Sequence, residues 1–137
     1  MMAPVNEAYA FPKAYSYPPM WSIQRTLATR HEQFKKWSSI ILGYCKHNNI
    51  WRLSLVNALD SPLFHNRQLR KRLTLLEARE IINWMTGEEG GQRVEWIGKD
   101  DEKSSLWIYW RRPEEWAEVL AAWVQFLLVV TYIHAHP

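Results

Sequence analysis

Apolar side chains at Phe34, Trp37, Ile40, Ile41, Tyr44 and Cys45 return every three or four positions. That is the period of a helix with one buried stripe. Ahead of it, Thr29-Arg30-His31-Glu32 has the form of a capping box, in which the threonine hydroxyl and the glutamate carboxylate serve free amides at the helix start. Asn48-Asn49 ends the helix. From Trp51 the period changes to two, with Leu53 and Leu55 alternating against Arg52 and Ser54, which predicts a half-buried strand. Asp60-Ser61-Pro62 makes a turn, and LFHNRQLRKRL, residues 63 to 73, predicts a short basic helix.

Thr74-Leu75-Leu76-Glu77 is a second capping box, and Ala78, Ile81, Ile82 and Met85 follow at helical spacing up to Gly87. After Gly90-Gly91, VEWI (94–97) and SLWIYW (105–110) predict a hairpin joined by the polar GKDDEKS connection. Leu106, Ile108 and Trp110 fall on one face of it, Trp107 and Tyr109 on the other. Helix, strand, helix, helix, strand, strand is the order of a winged-helix domain, an α+β fold in which a three-helix cluster carries a small antiparallel sheet. We place it at residues 29–112.

Pro113-Glu114-Glu115 then opens a further helix, since proline costs nothing at the first position and acids suit the amino end. Trp116, Val119, Leu120 and Trp123 share a face of this 113–137 segment, which turns apolar all round from Phe126 to Ile133. The stretch from Val119 to Ile133 measures about 22 Å as helix, short of a bilayer crossing. Packing on the domain or on a second copy is the expectation.

Residues 1–28 differ in kind, holding Pro4, Pro12, Pro18 and Pro19 among large apolar side chains, and predict an extended arm. Proline fixes φ near −65° and biases the residue before it toward extended backbone, so Tyr17 to Met20 should favour polyproline II. With three residues per turn, Pro18 and Trp21 share an edge that Tyr15 joins, of the kind aromatic-lined grooves recognise. Tyr15, Tyr17, Pro18, Pro19, Met20 and Trp21 are the candidate partner-binding residues. The competing outcome is that Tyr15, Met20 and Trp21 fold back as core of the chain's own domain.

Nine tryptophans in 137 residues point either to aromatic surface for a partner or to a tryptophan-heavy core. A net charge of +3 permits weak attraction to anionic surfaces without demanding it. The single cysteine, Cys45, cannot form an internal disulfide, and MMAPVNEAYAFPK lacks the features of a secretory signal, so a cytosolic protein is expected. No set of residues reads as catalytic, and no cofactor or metal is expected. Cys45 lies on the apolar stripe beside His47, while His31, His47 and His65 are scattered. His134 and His136 lack a third ligand nearby. The glycines of GEEGG match no phosphate-binding pattern. A winged helix raises the alternative of nucleic-acid binding, but the outward residues Glu77, Arg79, Glu80 and Asn83 of the third helix are mixed in sign. Arg67, Arg70, Lys71 and Arg72 belong to the preceding segment.

The arm YSYPPMWSIQ, the stretch DSPLFHN (60–66) and above all SSLWIYWRRPEEW (104–116) are together similar to the small subunit of the ESCRT-II complex, from about Tyr15 to Gln125. The resemblance implies two tandem winged helices, no catalysis, and sorting of ubiquitinated membrane proteins into multivesicular endosomes, in the cytoplasm and peripherally on the endosome membrane. It implies further that the arm docks into grooves on the two larger ESCRT-II subunits through Pro18, Pro19 and the aromatic at 21. Family members often carry tyrosine or phenylalanine where Trp21 stands. The family continues into a second winged helix that engages ESCRT-III, whereas here FLLVVTYIHAHP follows Gln125. Residues 113–137 are therefore expected to be the start of a truncated second domain, which puts the ESCRT-III contact in doubt.

Overall fold

The structure, a computed structural model, describes residues 8–98, 104–111 and 113–135. Most of the expected wing connection, residues 99–103, lies outside the described residues, as do residues 1–7 of the arm and His136. Helix α1 spans Leu27–His47 and buries Phe34, Trp37, Ile40, Ile41 and Cys45, the stripe read from the sequence. Its start differs. Thr26 is the N-cap, without a side-chain bond, and Thr29 lies inside the first turn, so the capping box expected there does not form. Glu32 instead meets Lys35 one turn on, at 3.6 Å. The backbone N–H of Gln24 donates to Oε1 of Gln33 at 3.0 Å, which fixes the entry of the chain and lets the helix begin earlier.

Strand β1 is Arg52–Ser54, and Leu55 opens α2, a single turn of helix over Leu55–Ala58. The basic helix expected at 63–73 is a correction. That segment forms a small hairpin, β2 at His65–Asn66 and β3 at Lys71–Arg72, paired His65 to Arg72 and Asn66 to Lys71. Two features decide it. Leu63, Phe64, Asn66 and Leu73 are all buried, a distribution no single helical face supplies. The turn is also built into the backbone, with Oδ1 of Asn66 accepting from the Leu69 N–H at 3.1 Å and Arg70 in the left-handed region at φ 55.

Helix α3, Leu75–Thr86, forms as read: the Glu77 N–H donates to Oγ1 of Thr74 at 3.2 Å, the Thr74 N–H donates to Oε1 of Glu77 at 2.9 Å, and Ala78, Ile81, Ile82 and Met85 are buried. A Cβ at Gly90 would run into the Trp84 carbonyl and the Met85 backbone, so this glycine serves close packing against the end of α3. Strands β4 (Val94–Trp96) and β5 (Ser105–Ile108) complete an antiparallel sheet in the order β1-β5-β4, with Leu53 opposite Leu106 and Val94 opposite Ile108. Leu106 and Ile108 turn inward, whereas Trp107 is exposed beside the Arg52 guanidinium. β5 stops short of Trp110, whose indole N–H donates to the Ile50 carbonyl at 3.1 Å.

The tryptophans answer both readings. Trp21 and Trp37 are core, Trp107, Trp116 and Trp123 are exposed, and Trp51, Trp84, Trp96 and Trp110 lie between. Helix α4 runs from Pro113 to Ala135. The packing of its apolar stretch on the domain, expected above, is absent: none of the described side chains from Glu115 to Ala135 is buried. Trp116 meets the domain, its ring 5.4 Å from Trp51 and 6.4 Å from Trp110.

Candidate partner-binding surface

Two tight turns shape the described part of the arm, Lys13–Ser16 and Pro18–Trp21, both of 3-10 form. Tyr17 between them is extended, at φ −94 and ψ 109, as a residue before proline should be. The polyproline II path expected from Tyr17 to Met20 stops there. A proline φ suits a 3-10 turn as well as polyproline II, and ψ is free to follow whatever buries the next side chains. Met20 and Trp21 supply that preference: both are buried, at 4% and 3% exposure, in one cluster with Phe34, Trp37 and Phe64.

Aromatic rings hold the arm down from Phe11 to Trp21. Phe11 stacks on Tyr15 at 3.8 Å, Tyr15 meets Trp21 edge-on at 5.4 Å, Trp21 meets Trp37 at 5.0 Å, and Trp37 reaches Phe64 at 6.0 Å. The indole N–H of each buried tryptophan finds an arm carbonyl: Trp21 donates to Tyr15 at 3.0 Å and Trp37 to Met20 at 2.9 Å. Rings buried this way satisfy their polar handle instead of losing it.

Two buried amides complete the clamp. Gln33 is 5% exposed, and its Nε2 lies within reach of the carbonyls of Pro19 (3.2 Å), Met20 (3.1 Å) and Ser22 (2.6 Å). Asn66 is 2% exposed and donates to the Tyr15 carbonyl at 2.8 Å. The Tyr15 hydroxyl in turn donates to the Pro62 carbonyl. Burial raises the Tyr15 phenol above its ordinary value, with the nearby Tyr44 adding to the shift. The sequence reading missed both amides. Gln33 was detectable, standing one turn before Trp37 on the stripe side of α1; Asn66 carried no local signal.

The six candidate residues therefore divide. Trp21 and Met20 pack into the core of this chain, the competing outcome named for them, with the carbonyls of Tyr15 and Met20 bonded beside them. Tyr15 is half-buried and acts as a strut. Tyr17, Pro18 and Pro19 stay exposed, Tyr17 by 59%, and form a ridge whose backbone is fixed from beneath. A cleft of about 160 Å³ opens beside it, lined in part by Tyr17, Pro19, Gln24 and Lys36.

The remaining candidates do not join this surface. Cys45 is fully buried, and burial pushes its thiol up to about 12, which makes it inert at neutral pH. Asn83 on α3 accepts the Trp96 indole N–H at 2.9 Å, which ties down part of the face a nucleic acid would need.

Residues 14–129 match the family of ESCRT-II complex subunits. The chain belongs to that family. Its relatives include vacuolar protein-sorting-associated protein 25 of Xenopus laevis, 35% identical over 116 residues that cover 85% of this chain and 64% of the relative. The Danio rerio protein of the same name is 33% identical, with the same shares covered. The chain thus spans just under two thirds of the length of these relatives. Among solved structures it superposes on the VPS25 subunit of the endosomal trafficking complex ESCRT-II with a TM-score of 0.69 and 28% identity, covering 85% of this chain and 67% of that one. On a crystal structure of ESCRT-II composed of VPS22, VPS25 and VPS36 the TM-score is 0.70 at 25% identity, covering 84% of this chain and 66% of that one. These matches agree with the winged-helix fold read from the ESCRT-II family member's own sequence, and they do not favour a nucleic-acid-binding domain.

Proposed function

We propose that this chain is a non-catalytic docking subunit of ESCRT-II, acting in the sorting of ubiquitinated membrane proteins at multivesicular endosomes. Its partners would be the two larger subunits of the complex, which bring it to the cytoplasmic face of the endosome. The observation that carries the reading is the ridge Tyr17-Pro18-Pro19, presented outward while Gln33, Trp37 and Asn66 hold the turns beneath it. A surface fixed before binding loses little entropy when a groove closes on it. Tyr15 shapes the ridge from below, and Met20 and Trp21 contribute as its foundation.

The test is co-purification of the full chain with the two larger subunits. Replacing Tyr17, Pro18 and Pro19 together by alanine should abolish co-purification while the domain stays folded. Deleting the whole arm would be a poor variant, since it removes Met20 and Trp21 from the core. Retention of the complex by the folded triple variant would overturn the assignment.

A further inference from the structure

The two halves of the chain carry opposite charge. Residues 1–76 hold eleven lysines and arginines against three acids, and residues 77–137 hold six against eleven. Between Glu32 and Glu77 the one acid is Asp60, and Arg72 already meets it at 2.9 Å. The positive half contains the arm, α1 and the β2-β3 hairpin, the three pieces that build the Tyr17-Pro18-Pro19 ridge.

A lysine stands beside that ridge on each of the two elements that hold it. Lys36 of α1 lines the same cleft as Tyr17 and Pro19. Lys71 lies opposite Asn66 in the hairpin, and directly opposed residues of an antiparallel pair put their side chains on one face. The Asn66 side chain reaches the Tyr15 carbonyl at 2.8 Å, so that face is the one turned toward the arm, and β3 packs beside the Pro18–Trp21 turn. Asn66 also accepts from the Leu69 N–H, so one buried side chain sets the hairpin, and Lys71 with it, against the arm. Both lysines are exposed. Their cationic neighbours are engaged within the chain, Lys35 with Glu32 at 3.6 Å and Arg72 with Asp60. No carboxylate among the described residues comes within ion-pair distance of Lys36 or Lys71.

A proline-rich ridge is an edge of the kind a concave aromatic groove receives. A planar layer of lipid headgroups offers no recess for the ridge between the two lysines, whereas a groove with acidic walls meets all three at once. We propose that the partner's groove carries carboxylates on its walls, and that Lys36 and Lys71 pair with them and steer the ridge into place. The proposal rests on the docking role given to the ridge above. Charges at the edge of an interface act chiefly on the rate of encounter, and salt screens them.

Stopped-flow association of the full chain with the complex of the two larger ESCRT-II subunits tests this. The variant is Lys36→Gln/Lys71→Gln. The control, Lys46→Gln/Arg52→Gln, removes the same charge from the far end of α1 and the outer face of the sheet. All four positions are exposed, so melting should be unchanged in both. At about 50 mM salt the variant should associate about tenfold more slowly than the parent and the control less than about twofold; at about 0.5 M salt the three should converge. If the variant keeps the parent's rate while alanine at Tyr17, Pro18 and Pro19 abolishes binding, the acidic groove is overturned and the docking role stands. If that triple variant binds like the parent, the docking role falls and the acidic groove with it. A control as slow as the variant would show that overall charge, not these two lysines, sets the rate. A variant that keeps the parent's rate but no longer floats with phosphatidylserine vesicles that the parent binds would assign the basic face to a membrane instead.

Discussion

The indole nitrogen of Trp37 donates to the carbonyl of Met20 at 2.9 Å, across seventeen positions of chain. This bond ties the first helix to the turn that carries the outward ridge, so the stability of the domain and the shape of that ridge depend on the same residues. Trp21→Ala empties a tryptophan-sized volume at that junction and leaves the Tyr15 carbonyl with Asn66 as one donor where it had two. It should lower stability by about 3–5 kcal/mol, read as a shifted urea midpoint. A variant that melts like the parent would show that Trp21 is not core.

Gln33→Leu keeps the volume of the side chain and strips its bonds. The carbonyls of Pro19, Met20 and Ser22 lose their shared donor, and the Gln24 amide loses its acceptor. A loss of about 1–3 kcal/mol is expected, along with faster amide exchange at Gln24. The rest of α1 should exchange as before.

Tyr17→Ala is the matching control. Tyr17 is 59% exposed, so its removal should change stability by no more than about 0.5 kcal/mol. Any large effect belongs to binding.

Cys45 gives a pH dependence. Its thiol ordinarily titrates at 9.0 and is raised to about 12 by burial, so above pH 9 the unfolded chain releases a proton that the folded chain keeps. The stability linked to this group is fully present below pH 9 and declines as pH rises toward about 12. Denaturation curves should follow the loss, and Cys45→Ala should flatten that part of it. Thiol reagents at neutral pH should label Cys45 only after unfolding.

What was legible in the sequence was local. Thr74 and Glu77 sit three residues apart, and Ala78, Ile81, Ile82 and Met85 repeat at the helical period, so α3 could be read from one turn to the next. The hairpin at 65–72 could not. Arg67 and Arg70 have helical spacing, and what opposes a helix is the burial of Asn66 against a carbonyl fifty-one positions away. The arm failed for the same reason. Pro18 and Pro19 restrict φ but leave ψ to be chosen by Trp37 and Gln33, partners remote in sequence that no short-range pattern announces. In the resemblance to the small ESCRT-II subunit, the SSLWIYWRRPEEW stretch carried the family correctly, while the packing sets Trp21 in the core of this chain.

The most direct measurement is a titration of the full chain against the two larger ESCRT-II subunits by calorimetry, comparing the parent with Tyr17→Ala/Pro19→Ala and recording the melting temperature of each. The double variant should bind at least about tenfold more weakly with its melting temperature unchanged. Unchanged affinity, or a loss of affinity that merely tracks a loss of folding, would contradict a ridge held rigid for a partner.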